Sequence, residues 1–269
     1  MKVDYIDHLG SDLMVVNAAR VSFDKESAYV LSAEETKLFT LNQGDTSPTY
    51  LKLSEADTKL IKYLATGYTT GDWDALVDSL MASTIRVLPD RDEVIDIINS
   101  IRNQPEHWSP FAHPQVSIRV KAPIFVARQL AKHQVGFAWN EVSRRYVDAP
   151  PEFYEPTTWR ARAENVKQGS GVNLVSVHED CDRYMMRVVQ QANAGYHSLM
   201  QAGVCPEQAR MVLPQSMYTE WIWTGSLLGW SRVCKLRLDS HTQKETRQVA
   251  QMIEDIVKPL FPVSWEALK

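Results

Sequence analysis

Residues 114–146, PQVSIRVKAPIFVARQLAKHQVGFAWNEVSRRY, decide how the chain is read. The first part alternates: Val116, Ile118 and Val120 point one way and Ser117, Arg119 and Lys121 the other, as a half-buried strand requires. Pro123 suits the first turn of a helix, which the pattern carries through IFVARQLAKHQ to a stop near Gly136. On that helix Gln129, Lys132 and His133 fall at i, i+3 and i+4 and share one face. Beyond the glycine, Trp139 to Tyr146 reads as a polar loop that gathers Glu141, Ser143, Arg144 and Arg145.

Outward from this stretch, residues 2–6 predict a short strand and residues 12–23 a short helix and turn. Helical spacing occupies 51–64, 73–81 and 93–101, around a turn-rich segment at 42–49. A long helix is predicted over 182–202, where Met185, Val189, Ala192, Tyr196 and Leu199 make one apolar stripe. Pro206 opens a shorter helix that must end before Pro214, and another is predicted over 219–236. Ser240 to Gln243 has the spacing of a capping box, and Val249, Met252, Ile253, Ile256 and Leu260 supply the buried face of the helix after it. Few, irregularly placed strands and a helix-rich second half favour α+β over a doubly wound sheet.

The chain has 269 residues, of which 44% are hydrophobic and 23% charged, enough for a substantial core without disulfides or a structural metal. Three cysteines with no CxxC pair read as reduced thiols in a cytoplasmic protein. No signal-peptide pattern and no run of 18 apolar residues points to a membrane. The net charge of −4 argues against nucleic acid as a partner of the whole surface. Yet residues 119–147 carry six cations against Glu141 alone. A local basic cluster in an acidic chain points to a small phosphorylated ligand, with a solvated charged face as the bland alternative. His107 and His113 lack a zinc-binding spacing, so no metal is expected, and the glycines form no phosphate-binding loop.

The residues carry a resemblance to the flavin-dependent thymidylate synthases. Lys132-His133-Gln134 stands where the family signature has Arg-His-Arg, and eight residues separate it from Ser143 where the family has seven. Four further elements match in order: Ala18 to Phe23 (AARVSF), His107 to His113 (HWSPFAH), Ala209 to Pro214 (ARMVLP) and Leu236 to His241 (LRLDSH). The resemblance implies one helix-rich α+β domain with a small antiparallel sheet, not a Rossmann fold. Residues 25–102 then stand as a family-atypical insertion.

What the resemblance implies for function is reductive methylation of dUMP to dTMP. Methylenetetrahydrofolate would give the carbon, NADPH the electrons, and FAD would carry the hydride, in a homotetramer whose sites are shared between subunits. For dUMP it implies Gln129, Lys132, Glu141, Val142, Ser143, Arg144, Arg145, Arg210 and Arg237. For FAD it implies Ser22, His107, Ser109, Lys132, His133, Gln134, Glu141, Ser226, Arg232 and His241. Arg237 and Ser143 match the family's catalytic positions. An unassisted hydroxyl is a poor nucleophile and no His–Asp pair lies near Ser143 in sequence, so Ser143 is read as orienting the nucleotide. Arg237 is read as favouring ionisation of the uracil. Arg232 is expected to return charge lost at Gln134, and Trp139 to stack on a pterin or flavin ring. Cys234 is expected to be a buried, inert thiol. Two other readings stand beside this one: a relative that binds FAD and nucleotide without full turnover, and a single-strand-binding module that stacks bases on Phe137, Trp139 and Tyr146.

Overall fold

The computed structural model describes residues 1–31, 51–69, 71, 73–74, 77–78, 106–147, 149–162, 174–175 and 178–269. The turn expected at 42–49, the helix at 93–101 and most of that at 73–81 lie outside these residues. In chain order the described strands are β1 (Lys2–Leu9), β2 (Val30–Leu31), β3 (Leu51–Lys52), β4 (Gln115–Pro123), β5 (Phe137–Glu141) and β6 (Tyr218–Ser226). The described helices are α1 (Asp12–Arg20), α2 (Glu55–Thr66), α3 (Ile124–Leu130), α4 (His178–Gln201), α5 (Pro206–Ala209), α6 (Leu227–Arg237), α7 (Lys244–Leu260) and α8 (Pro262–Leu268). The fold is α+β, helix-rich with a small sheet, and the described residues contain no Rossmann unit. The chain divides into two compact units.

The first unit takes residues 1–8, 116–225 and 232–256 and holds the four-stranded sheet, in the order β1-β4-β6-β5. The alternation at 116–122 is realised in β4, where Val116, Ile118, Val120 and Ala122 are fully buried. The helix predicted over 219–236 is corrected: its first half is strand β6. Thr219, Trp221 and Trp223 are buried while Ile222 is 46% exposed, the two-residue period of a strand with one face on a core. β5 pairs antiparallel with β6, setting Phe137 opposite Gly225 and Trp139 opposite Trp223. The Trp139 ring stacks on Trp221, centroids 4.3 Å apart, and meets Trp223 edge-on at 5.3 Å.

Two further sequence readings are corrected here. The helix after Pro123 ends at Leu130, not near Gly136, so Lys132 and His133 do not share a helical face with Gln129. Two turns follow instead: the His133 N–H bonds the Leu130 carbonyl at 3.0 Å and the Phe137 N–H bonds the Gln134 carbonyl at 3.2 Å. Gly136 sits inside the second with φ +77°, a conformation that favours glycine. The chain needs this reversal to enter β5 beside β6, so the polar loop read at 139–141 is strand. Likewise Ser240 does not cap α7, which begins at Lys244. The Ser240 carbonyl instead accepts from Arg247 Nη1 at 2.9 Å.

Gly225 answers to the ring opposite it. A Cβ there would lie 2.1 Å from Phe137 Cε1 and 2.3 Å from Cδ1, and that ring packs tilted against Trp223 at 5.0 Å. Gly225→Ala is therefore expected to cost about 2 kcal/mol, in the range for overpacked cores. Thermal or urea melts check it, and a variant as stable as the parent would contradict the account.

The second unit takes residues 9–115, 226–231 and 257–269. Its core includes Val15, Val16, Ile61, Phe111, Phe261 and Trp265, each at most 1% exposed. The buried Asp12 caps α8: its carboxylate oxygens accept the Val263 and Ser264 N–H groups, both at 2.9 Å. α2 begins at Glu55, where Ser54 accepts from the Asp57 N–H at 3.1 Å, and ends at Gly67 with φ +77°. The helical spacing read from residue 51 thus starts four residues later, after β3 pairs antiparallel with β2.

Candidate functional site

Arg237 closes α6 in the first unit, and the fold brings it to His133, 104 positions away. Its Nε donates to His133 Nε2 at 2.9 Å and its Nη2 to the Gln129 carbonyl at 3.0 Å. The guanidinium is half-buried, and burial lowers its pKa from the ordinary value. Burial first, and then the facing guanidinium, hold the His133 pKa below the usual histidine value. A neutral ring protonated on Nδ1 is what the Nε2 acceptor role requires. Two of five N–H groups seat Arg237, which leaves Nη1 to meet a ligand. A positive charge fixed in a half-buried place can stabilise negative charge that develops beside it.

The pH consequence has a definite sign. The His133 pKa is lower folded than unfolded, so its contribution to stability is full above the ordinary histidine value and is lost as pH falls through the folded value. Protonation also removes the Nε2 acceptor from Arg237. Activity that depends on a seated Arg237 is expected to fall on the acid side of neutrality, and His133→Asn should flatten that limb of the pH–rate profile.

Gln129 has its side chain turned to α7 rather than to open solvent. Its Nε2 donates to Gln243 Oε1, and its Oε1 accepts from Thr246 at 3.0 Å. Gln243 Nε2 in turn donates to Glu245 Oε2 at 3.0 Å. Glu245, 5% exposed, is held bidentately by Arg160 at 2.8 and 2.9 Å. Burial acts to raise its pKa, but Arg160, its own backbone N–H and Gln243 outweigh this and keep it below the ordinary carboxylate value.

A cleft of about 700 Å³ lies in the same unit, walled by Glu141, Val142, Arg144, Glu207, Arg210 and the start of β6. Glu141 accepts from Thr219 Oγ1 at 2.6 Å and from the Trp139 indole N–H at 3.2 Å. Trp139 thus works inside the sheet, stacked on Trp221 and edge-on to Trp223. Arg144 donates to the Ala149 and Pro150 carbonyls. Arg145 Nη1 lies 3.5 Å from the Glu207 carboxylate, and Arg210 Nε lies 3.4 Å from the Glu207 carbonyl. The two expected phosphate anchors therefore converge on one residue. The Ser143 hydroxyl accepts from Arg145 Nε at 3.1 Å, and among the described residues no histidine or carboxylate bonds it. That environment orients a ligand and does not activate a nucleophile.

The basic surplus of residues 119–147 is largely spent within the fold. Arg119 pairs with Glu220, and Lys121 with Glu152 at 2.8 Å. Among the lining residues four carboxylates face three cations. The cleft is a mixed-charge site with Arg210 as its most open cation.

In the second unit, Ser22, His107 and Ser109 meet in one pocket of about 780 Å³ with Arg20, Phe23, Lys25, Lys59 and Tyr63. The His107 N–H donates to the Leu64 carbonyl at 2.9 Å, and its ring lies 5.4 Å from Tyr63. Hydroxyl donors, aromatic walls and three cations, of which Arg20 pairs with Asp57 and Lys59 with Glu55, fit a ring-bearing anionic group such as a flavin dinucleotide. Sequence reasoning missed α2 as a wall of this pocket. The available signal was the Ser54-x-x-Asp57 spacing of a helix start.

The remaining expected flavin residues are scattered. Lys132 and Gln134 are exposed in the turns after α3, and Arg232 is exposed on α6. His241 is exposed, with its ring nitrogen and backbone N–H both 2.8 Å from Asp239 Oδ1. The backbone N–H of His241 first, then its ring, keep Asp239 below the ordinary carboxylate value. Ser226 is buried, and its hydroxyl accepts from the Gly229 N–H at 3.2 Å as the cap of α6. Cys234 is buried, its thiol 3.8 Å from the Ala250 carbonyl. Among the described residues no group of three or more His, Cys, Asp or Glu side chains could hold a metal ion. No described helix is long and apolar enough to cross a membrane.

Comparison with known proteins is consistent with this arrangement. A family model described as thymidylate synthase complementing protein matches residues 4–263. The flavin-dependent thymidylate synthase of Thermus thermophilus is 41% identical over 163 residues, covering 61% of this chain and 59% of that protein. The chain thus spans about three-fifths of that relative's length. The enzyme of the same name from Thermotoga neapolitana is 29% identical over 265 residues, 98% of this chain and 89% of that one. Among solved structures, a UMP/dUMP methylase, PolB from Streptomyces cacaoi bound with 5-Br dUMP, has a TM-score of 0.67. It shares 26% sequence identity, and the match covers 99% of this chain and 93% of that one.

Proposed function

Because the chain belongs to the thymidylate synthase complementing protein family, we propose that it is a flavin-dependent thymidylate synthase. It converts dUMP to dTMP with methylenetetrahydrofolate as carbon donor and NADPH as reductant, in a cytoplasmic homotetramer, with residues 25–102 an insertion in a single domain. The observation that carries this reading is the seat of Arg237 on His133 and the Gln129 carbonyl, which joins two separately matched sequence elements.

The hydride for the nucleotide would come from FAD when it is bound. Ser22, His107 and Ser109, with Arg20 and Lys59 beside them, would hold it in the second unit's pocket. His133, Lys132, Gln134, Glu141, Arg232 and His241, all of the first unit, are the other residues proposed for the flavin. Arg210 and Arg145 take the dUMP phosphate, Arg210 giving up a neutral carbonyl contact and Arg145 its ion pair with Glu207 for charge-assisted bonds to it. Glu141, fixed by Thr219 and the Trp139 N–H, offers an acceptor to the nucleotide, with Val142, Ser143 and Arg144 beside it. Arg237 bears on the uracil, where its fixed charge favours the ring anion.

The test is an absorbance spectrum of the pure protein, then dUMP-dependent NADPH oxidation and tritium release from 5-tritiated dUMP, with UMP assayed in parallel. A yellow protein with both activities supports the reading. Absence of both sinks it and leaves a cofactor- and nucleotide-binding relative, the reading favoured by Lys132 and Gln134 where the family has arginines. Replacing Cys181, Cys205 and Cys234 together by serine is expected to leave dUMP turnover within a few-fold of the parent. Loss of turnover in a folded triple variant would point to a covalent thiol route.

A further inference from the structure

The polar chain behind Arg237 has a direction, and one residue sets it. The Glu245 carboxylate only accepts hydrogen bonds. Facing it, Gln243 must present its NH2 group, at 3.0 Å, so its oxygen points the other way, to the Gln129 NH2. Gln129 must then turn its oxygen to the Thr246 hydroxyl, at 3.0 Å. Each amide has its flip fixed by the one before it. Arg160 holds the origin of the chain still with two bonds to the carboxylate. At the far end, the Gln129 backbone carbonyl and His133 carry Arg237.

We propose that Glu245 is a positioning residue for Arg237: as the acceptor-only end of the Gln243–Gln129 relay, it locks the turn of α3 on which the guanidinium is seated. A glutamine in its place both donates and accepts, so both amides can flip and the seat takes more than one arrangement. The inference rests on the reaction proposed above for its kinetic arm alone.

The experiment uses the full chain loaded with FAD. Glu245→Gln is expected to lower kcat for dUMP about tenfold, the scale on which a displaced catalytic group loses rate, with KM for dUMP nearly unchanged. Combined with Arg237→Lys it should add no further loss, because both changes act through one group. Gln243→Met breaks the relay while sparing the Arg160–Glu245 pair and should behave alike if Glu245→Gln folds poorly. Glu245→Asp, which remains acceptor-only, should recover most of the rate. A second arm needs no turnover: imidazole nitrogen NMR signals of His133 in the ligand-free protein should change in Glu245→Gln and in Gln243→Met. A parent protein without dUMP turnover would refute the proposed reaction and leave the NMR arm to decide the relay. Unchanged His133 signals in a folded variant, or losses that add to those of Arg237→Lys, would overturn it.

Discussion

Arg237→Ala is expected to lower dUMP turnover about 10²- to 10³-fold, the loss typical of removing one preorganised donor from a site where negative charge develops. The guanidinium is half-buried and held by two acceptors on α3 and the turn after it, so little reorganisation is needed at the moment of reaction. The fold should tolerate the change, since water can reach the Gln129 carbonyl and His133 once the side chain is gone. Arg237→Lys should fall between the two. It keeps the charge but offers a single ammonium where a planar fork now meets two partners. Single-turnover rates with dUMP already bound separate this from weaker binding. An alanine variant within threefold of the parent would remove Arg237 from the mechanism.

Asp57→Ala is expected to cost about 3 kcal/mol of stability, because it leaves the Arg20 charge without its partner in a largely buried place. Asp57 is 2% exposed. Its Oδ1 accepts from Arg20 at 3.0 and 2.6 Å and from Ser27 at 2.8 Å, and its Oδ2 accepts from Ser54 at 2.7 Å. Burial pushes the carboxyl pKa up, but the Ser54, Ser27 and Arg20 hydrogen bonds outweigh it and hold the group below its ordinary value. The stability gained is therefore present above the ordinary aspartate value and lost as pH falls through the folded one. The gap between parent and Asp57→Asn should narrow in acid. Arg20 also lines the pocket with Ser22, His107 and Ser109, so FAD retention, read from the flavin absorbance after gel filtration, should drop as well. A variant that melts with the parent and stays yellow would show that this buried pair supports neither fold nor pocket.

Much of this was legible locally. The alternation of Val116, Ile118 and Val120 named a strand, and the apolar spacing of Val249, Ile253 and Ile256 named the inner face of α7. What failed did so where distant partners decide. The stretch Thr219–Leu236 has apolar residues dense enough to pass for a helix. Only pairing with β4 and β5, far earlier in the chain, makes its first half a strand, although the alternation of Thr219, Trp221 and Trp223 carried the hint. The same pairing cuts α3 short at Leu130. Charge misled in a similar way: residues 119–147 look strongly basic because Glu220, partner of Arg119, lies 101 positions on. Buried pairs such as Arg20–Asp57 and Arg160–Glu245 leave no trace in spacing at all. The site elements were proposed through their resemblance to a family, whereas the hydrogen bonds from Gln129 through Gln243 to Glu245 became visible only in three dimensions.

The stacked indoles of Trp139 and Trp221 give the cleft proposed for the nucleotide an intrinsic optical reporter. Trp139 also donates its indole N–H to Glu141 in the cleft wall, so any guest that engages this carboxylate perturbs a coupled chromophore pair. Near-ultraviolet dichroism and tryptophan emission can then follow nucleotide occupancy without an attached label, at wavelengths apart from the visible flavin band.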